Sequence, residues 1–161
     1  MIRKVALAAV CAFMAASAHA QVGGNLAALP AVDIYIDITT SKDGAPVLSK
    51  TDFDLITGDY YRLNFKSDGK KDWRVELPDL LQNSHLRVVT INDVEVHLQG
   101  LTFRAIEFDD KPNSASFTLT PIRPGDYQLY VGPNPLSLDR PIGEAGVQPG
   151  AKAAFGKFHV K

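Results

Sequence analysis

Short segments of the chain alternate apolar and polar residues with a period of two, the mark of strands that bury one face. DIYIDITT at 33–40 puts Ile34, Ile36 and Ile38 on one side, YYRLNF at 60–65 does the same with Tyr61, Leu63 and Phe65, and WRVEL at 73–77 with Trp73, Val75 and Leu77. VEVHL at 94–98, LTFRAIEF at 101–108, SFTLT at 116–120, DYQLYV at 126–131 and FGKFHV at 155–160 extend the series. Tyr60 and Tyr61 fall on opposite sides, which assigns one to the core and the other to a rim. Turn chemistry separates the segments: Lys42-Asp43-Gly44, Ser67-Asp68-Gly69, the run Asp109 to Asn113, and Pro124-Gly125-Asp126. The one helical expectation is Pro78 to Ser84, with Pro78 suited to a first helical position. Strands at this spacing predict an all-β fold, an antiparallel sandwich with Greek-key connections.

The first 20 residues change the picture. Arg3 and Lys4, an apolar run from Val5 to Ala16, and Ala18-His19-Ala20 describe a secretory signal peptide cleaved after Ala20. The apolar run is too short to span a bilayer. The expectation is a periplasmic or secreted protein with a loose lead-in at 21–32, rich in small residues, and one domain at 33–161. Met1, Cys11 and Met14 hold all the sulfur, so the mature chain has neither thiol nor disulfide. Removing Arg3 and Lys4 from the 17 basic residues leaves 15 against 18 acidic ones, a balance that suits neither nucleic acid nor an anionic membrane.

In the last third, SFTLTPIRPGDYQLYVGPN at 116–134 and GKFHV at 156–160 resemble the end of plastocyanin-type cupredoxins. In that family a strand ends in Tyr-x-Phe-Tyr-Cys-x-Pro-His and a Gly-Lys-Val-x-Val strand closes the domain. Tyr127-Gln128-Leu129-Tyr130 matches the strand and Pro133 the motif's proline; upstream, Gly58 to Phe65 looks like the strand before the first copper histidine. The resemblance implies a cupredoxin-like Greek-key sandwich. It also implies that Val131 stands at the thiolate position, Asn134 at the following histidine, and Trp73 at the first histidine. A blue-copper centre needs two imidazoles and a thiolate, which Val131 and Asn134 do not provide. These three are therefore vestigial positions and no blue-copper cofactor is expected. Trp73 reads either as an ordinary core tryptophan with its indole N–H near a carbonyl or as the plug of a vacated copper pocket.

Histidines outside the signal offer an alternative. Alternation in VEVHL turns Glu95 and His97 to one face opposite Val94, Val96 and Leu98, and Phe158 and Val160 turn His159 outward. Glu95 and His97 would chelate copper or another divalent ion if His159 or His85 came near; scattered surface histidines are the commoner arrangement. Little in the chain points to catalysis: there is no G-x-S-x-G elbow and no catalytic Cys, and Ser84 and His85 are sequence neighbours, which on a strand would not face each other. Asp52, Asp54, Glu95, Glu107, Asp109 and Asp110 read as solvated faces and turns. The segment from Gly132 to Ala151, stiffened by Pro133, Pro135, Pro141 and Pro149, is the candidate surface for a periplasmic protein partner, with Leu136, Leu138 and Ile142 beside Asp139 and Arg140; a lid folded over the core is the competing reading. The chain reads as a non-catalytic binding or accessory protein.

Overall fold

A computed structural model describes residues 30–92, 94–99, 102–133 and 151–161, with backbone alone at 95–99 and 102. In chain order the elements are β1 (Val32–Thr40), β2 (Pro46–Leu48), β3 (Asp52–Leu55), β4 (Tyr61–Ser67), β5 (Trp73–Glu76), α1 (Pro78–Gln82), β6 (Ser84–Asn92), β7 (Glu95–Gln99), β8 (Thr102–Phe108), β9 (Asn113–Pro121), β10 (Gly125–Gly132) and β11 (Ala154–Val160). One sheet runs β2-β1-β4-β9-β6 and the other β3-β11-β10-β5-β8-β7. The expected all-β sandwich is the architecture found. It differs in one respect: each sheet contains a parallel pair, β1 with β4 and β3 with β11. The cause is that β2 and β3 are consecutive strands in different sheets, so the chain changes layers before β4 returns beside β1 in the same direction.

The same change of layer happens at β6 and β7, which are consecutive and edge opposite sheets. β2, β3 and β6 belong to stretches whose alternation is too short or too irregular to stand out; β6 slips register between Leu86 and Val88. Residues 1–29, which include the expected signal, lie outside the described residues, and β1 begins at Val32, inside the expected lead-in. α1 forms where Pro78 suits the first turn, and it buries Pro78, Leu80 and Leu81.

Between the sheets lies one core. Ile36, Ile38, Leu63, Phe65, Phe117 and Leu119 from the first sheet meet Val75, Phe108, Leu129, Val131 and Phe158 from the second. Phe117 touches Phe65 edge-on at 5.9 Å and stacks on Phe103 at 5.1 Å between ring centroids. Tyr60 and Tyr61 are both buried, contrary to the expectation of one rim residue. Tyr61 is in the core with its hydroxyl accepting from the Ile56 N–H at 2.9 Å, and Tyr60 is covered by Arg87, whose guanidinium lies 5.5 Å from the ring centre.

β5 departs most from the alternation rule, because all four of its residues are buried. Trp73 and Val75 face the core, while Arg74 and Glu76 lie on the other face of the sheet with fully buried side chains and a 2.8 Å contact between Arg74 Nε and Glu76 Oε1. Arg104, the extra residue where β8 slips register against β7, brings a second guanidinium to 3.9 Å from the same carboxylate oxygen. Glu107, expected on a solvated face, is buried too. Ions this dry cost several kcal/mol unless paired, and removing one partner costs about 3–5 kcal/mol. Glu76→Gln therefore lowers the unfolding free energy by about 3 kcal/mol in urea titration. Asp33→Asn, which breaks the half-exposed Asp33–Arg62 pair at 3.5 Å, changes it by under about 1 kcal/mol. Equal losses would refute the burial argument.

Candidate functional site

At one end of the sandwich four loop regions converge on a recess of about 630 Å³. The β1–β2 turn contributes Asp43 and Gly44, the β4–β5 turn Lys70, Lys71 and Asp72, the β8–β9 turn Asp110, and the β10–β11 connection Pro133 and Lys152, with Trp73 among the lining residues. Local chemistry holds these turns. Asp68 accepts from the Thr40 N–H at 2.7 Å, the Thr40 hydroxyl at 3.1 Å and the Lys70 N–H at 3.1 Å, tying the β4–β5 turn to the end of β1. Partial burial works against the Asp68 anion, and the backbone N–H groups of Thr40 and Lys70 outweigh it, keeping the carboxyl below the usual range. Gly69 supplies a left-handed residue at φ 67°, and any Cβ there would collide with the backbone of Lys111 and Pro112, so two rims of the recess touch at this glycine.

Ammonium groups stitch the rim. Lys71 Nζ donates to the Gly44 carbonyl at 3.2 Å, and Lys152 donates to the Asp43 carbonyl and sits 2.9 Å from its carboxylate. The Ser41 hydroxyl and Lys152 pull the Asp43 carboxyl down to about 2. The result is a mixed-charge mouth over an apolar floor.

Of the three positions that the resemblance assigned to copper ligands, Trp73 lines this mouth and Val131 lies in the core. Trp73 is 2% exposed, and its indole N–H donates to the Thr40 hydroxyl at 3.2 Å, in place of the expected carbonyl. That hydroxyl donates onward to Asp68. Val131 is fully buried on β10, opposite Val75 of the neighbouring β5. An alkyl group and an indole whose nitrogen is a donor offer no lone pair to a metal, so these side chains do not fit a blue-copper centre. Asn134 lies outside the described residues, as do Leu136, Leu138, Asp139, Arg140 and Ile142.

The histidines are dispersed. His97 and Glu95 are on β7 and His159 is on β11, with β10, β5 and β8 between them, a separation on the order of 19 Å at the usual strand spacing. His85 is on β6 in the other sheet. The structure thus does not bring His159 or His85 to the Glu95–His97 pair, and among the described residues no group of three His, Cys, Asp or Glu is arranged to hold a metal. His159 instead joins strands: Nδ1 lies 2.8 Å from Asp126 of β10 and Nε2 3.5 Å from Asp52 of β3.

Sequence reasoning marked the β1–β2, β4–β5 and β8–β9 turns as turns and missed that they meet. Residues from Asp43 to Lys152 share the recess, and only the order of strands brings them together.

No family model matches the chain, and no curated protein matches it. Among solved structures it is similar to a multicopper oxidase from Aquifex aeolicus, at 6% identity and TM-score 0.49, over 81% of this chain and 29% of the oxidase. It is also similar to a cysteine protease inhibitor from Entamoeba histolytica, at 14% identity and TM-score 0.39, over 82% and 99% of the two chains. Rusticyanin from Thiobacillus ferrooxidans aligns at 14% identity and TM-score 0.37, over 82% and 79%. Overlaps this loose carry no argument about ligands or activity; the fold class rests on the strand order itself.

Asp126 first, then Asp52, raises the His159 imidazole above its ordinary 6.5. A raised folded-state value means that the clamp's contribution is complete below the unfolded value and is lost as pH rises through the folded one. The stability difference between the native chain and His159→Asn is therefore largest in mild acid and shrinks above the imidazole range. Chemical denaturation across that pH span measures it, and a difference that grows with pH would contradict the clamp.

Proposed function

We propose that the chain is an exported, non-catalytic binding protein, that it carries a cupredoxin-like sandwich without a blue-copper centre, and that it engages a periplasmic protein partner through the loop end. One observation carries this reading: Trp73 closes the floor of a recess whose rim is built from separate, hydrogen-bonded turns. In the family the sequence resembles, that end of the domain holds the metal. Here an apolar floor takes the place of donors and leaves a preformed, charged concavity. A cavity of this size, whose turns are tied to one another by hydrogen bonds, loses little freedom when a partner enters. Lys70, Asp72 and Asp110 supply orientation, and the segment with Leu136, Leu138, Asp139, Arg140 and Ile142 is proposed to extend the surface. Vestigial describes Trp73, Val131 and Asn134 on this reading.

Export follows from residues 1–20, so the test is made in the periplasmic fraction. A photo-crosslinking residue at Asp110 or Lys70 yields a discrete adduct of defined mass, whereas the same residue at Lys157, on the opposite sheet face, does not. Equal labelling at both places would sink the assignment of the surface. Cu(II) added to the mature chain gives no intense blue thiolate band, because no thiolate exists to supply it. Such a band would overturn the reading of the copper positions.

A further inference from the structure

The outward face of the first sheet carries a second concavity, of about 270 Å³, built on strands alone. Strand register arranges its side chains in transverse rows. Tyr35 of β1, Asn64 of β4, Ser116 of β9 and Thr90 of β6 stand side by side, and the next row is Asp37, Lys66, Ser114 and Asn92. β9 makes the floor because its outward residues there are serines, and the longer groups of β1, β4 and β6 make the walls. Tyr35 is 70% exposed, the largest exposure among the large apolar side chains of the described residues. Asn64 is held in place by donating its amide to Asp33 at 2.9 Å and to the Arg62 carbonyl, which leaves its side-chain oxygen as an acceptor.

The chemistry of this groove is narrow. Its lining carries one opposite pair of charges, Asp37 beside Lys66, so the groove itself is electroneutral. A phosphate backbone finds no net positive field here. A protein interface needs apolar anchors at its centre, and this floor is serine. What remains is one open aromatic ring beside hydroxyls and an amide. Such a set complements a molecule that has an apolar C–H face and a periphery of uncharged hydroxyls, since the ring takes the C–H face and the polar groups take the hydroxyls. We propose that the groove binds a neutral glycan chain, lying across β4, β9 and β6 with one sugar ring on Tyr35. Because strands fix every contact, little side-chain ordering opposes binding. The groove lies on a different face from the loop-end recess and does not depend on the function proposed for it.

The probes are soluble neutral hexasaccharides of glucose, mannose and N-acetylglucosamine, titrated into the mature chain by calorimetry. At least one binds saturably, with a dissociation constant on the order of 0.1 mM. Tyr35→Ala weakens that binding by about tenfold or more, Tyr35→Phe retains most of it, and Asn64→Ala weakens it several-fold. All three variants keep the native thermal midpoint, since they change exposed or half-exposed positions. Asp110→Ala, in the loop-end recess, leaves glycan affinity unchanged. The proposal is overturned if no member of the set binds saturably at concentrations of about 5 mM, well above the expected constant, or if Tyr35→Ala binds like the native chain. It is equally overturned if a protein, rather than a glycan, protects Tyr35 from chemical labelling.

Discussion

β5 is four residues long and buried on both faces, and most of the second sheet is arranged to permit this. Its inward residues are ordinary core. Its outward ones are ions, and a buried guanidinium and carboxylate are tolerable only in tight mutual contact with further polar neighbours. Arg74 and Glu76 meet that condition along a single strand, and the slip in β8 that delivers Arg104 adds to it. The consequence reaches the other face. With Arg74 and Glu76 fixed, Trp73 and Val75 have no freedom to slide, so the floor of the loop-end recess is as rigid as the pair behind it.

How much of this was legible in the chain depended on whether the cause was local. Ile34, Ile36 and Ile38, or Phe158 and Val160, announce their strands because alternation is a property of neighbours, and the turn residues announce where strands stop. Pro78 marks its helix for the same reason. The burial of Arg74 and Glu76 was not legible, since alternation tells which residues share a face and says nothing about what lies against the second face. The expectation that one of Tyr60 and Tyr61 would be a rim residue failed for a related reason: Arg87, far along the chain, covers Tyr60. The recess was readable only as unrelated turns. The contacts of His159 with Asp52 and Asp126 depend on β3 and β10 flanking β11, which no spacing in the sequence encodes.

The layer changes at β2–β3 and β6–β7 do more than explain the parallel pairs. They place consecutive strands along both sides of the sandwich, so each open flank is spanned by continuous chain. Free sheet edges invite pairing with other chains, and short, irregular edge strands discourage it. β2 and β3 are short, and β6 is interrupted at Arg87. The interruption also separates Val88 and Ile91, both partly exposed, from a regular apolar stripe.

Val32 donates to the Tyr60 carbonyl, and Lys161 both donates to Leu55 and accepts from Thr57. The start of β1 and the end of β11 are thereby fastened to the same short stretch, at the end of the sandwich away from Asp43, Lys71 and Asp110. A tether joined to the start of β1 or the end of β11 would hold the molecule by its base and present the recess outward. The fold has a built-in orientation, with a handle at one pole and a mouth at the other.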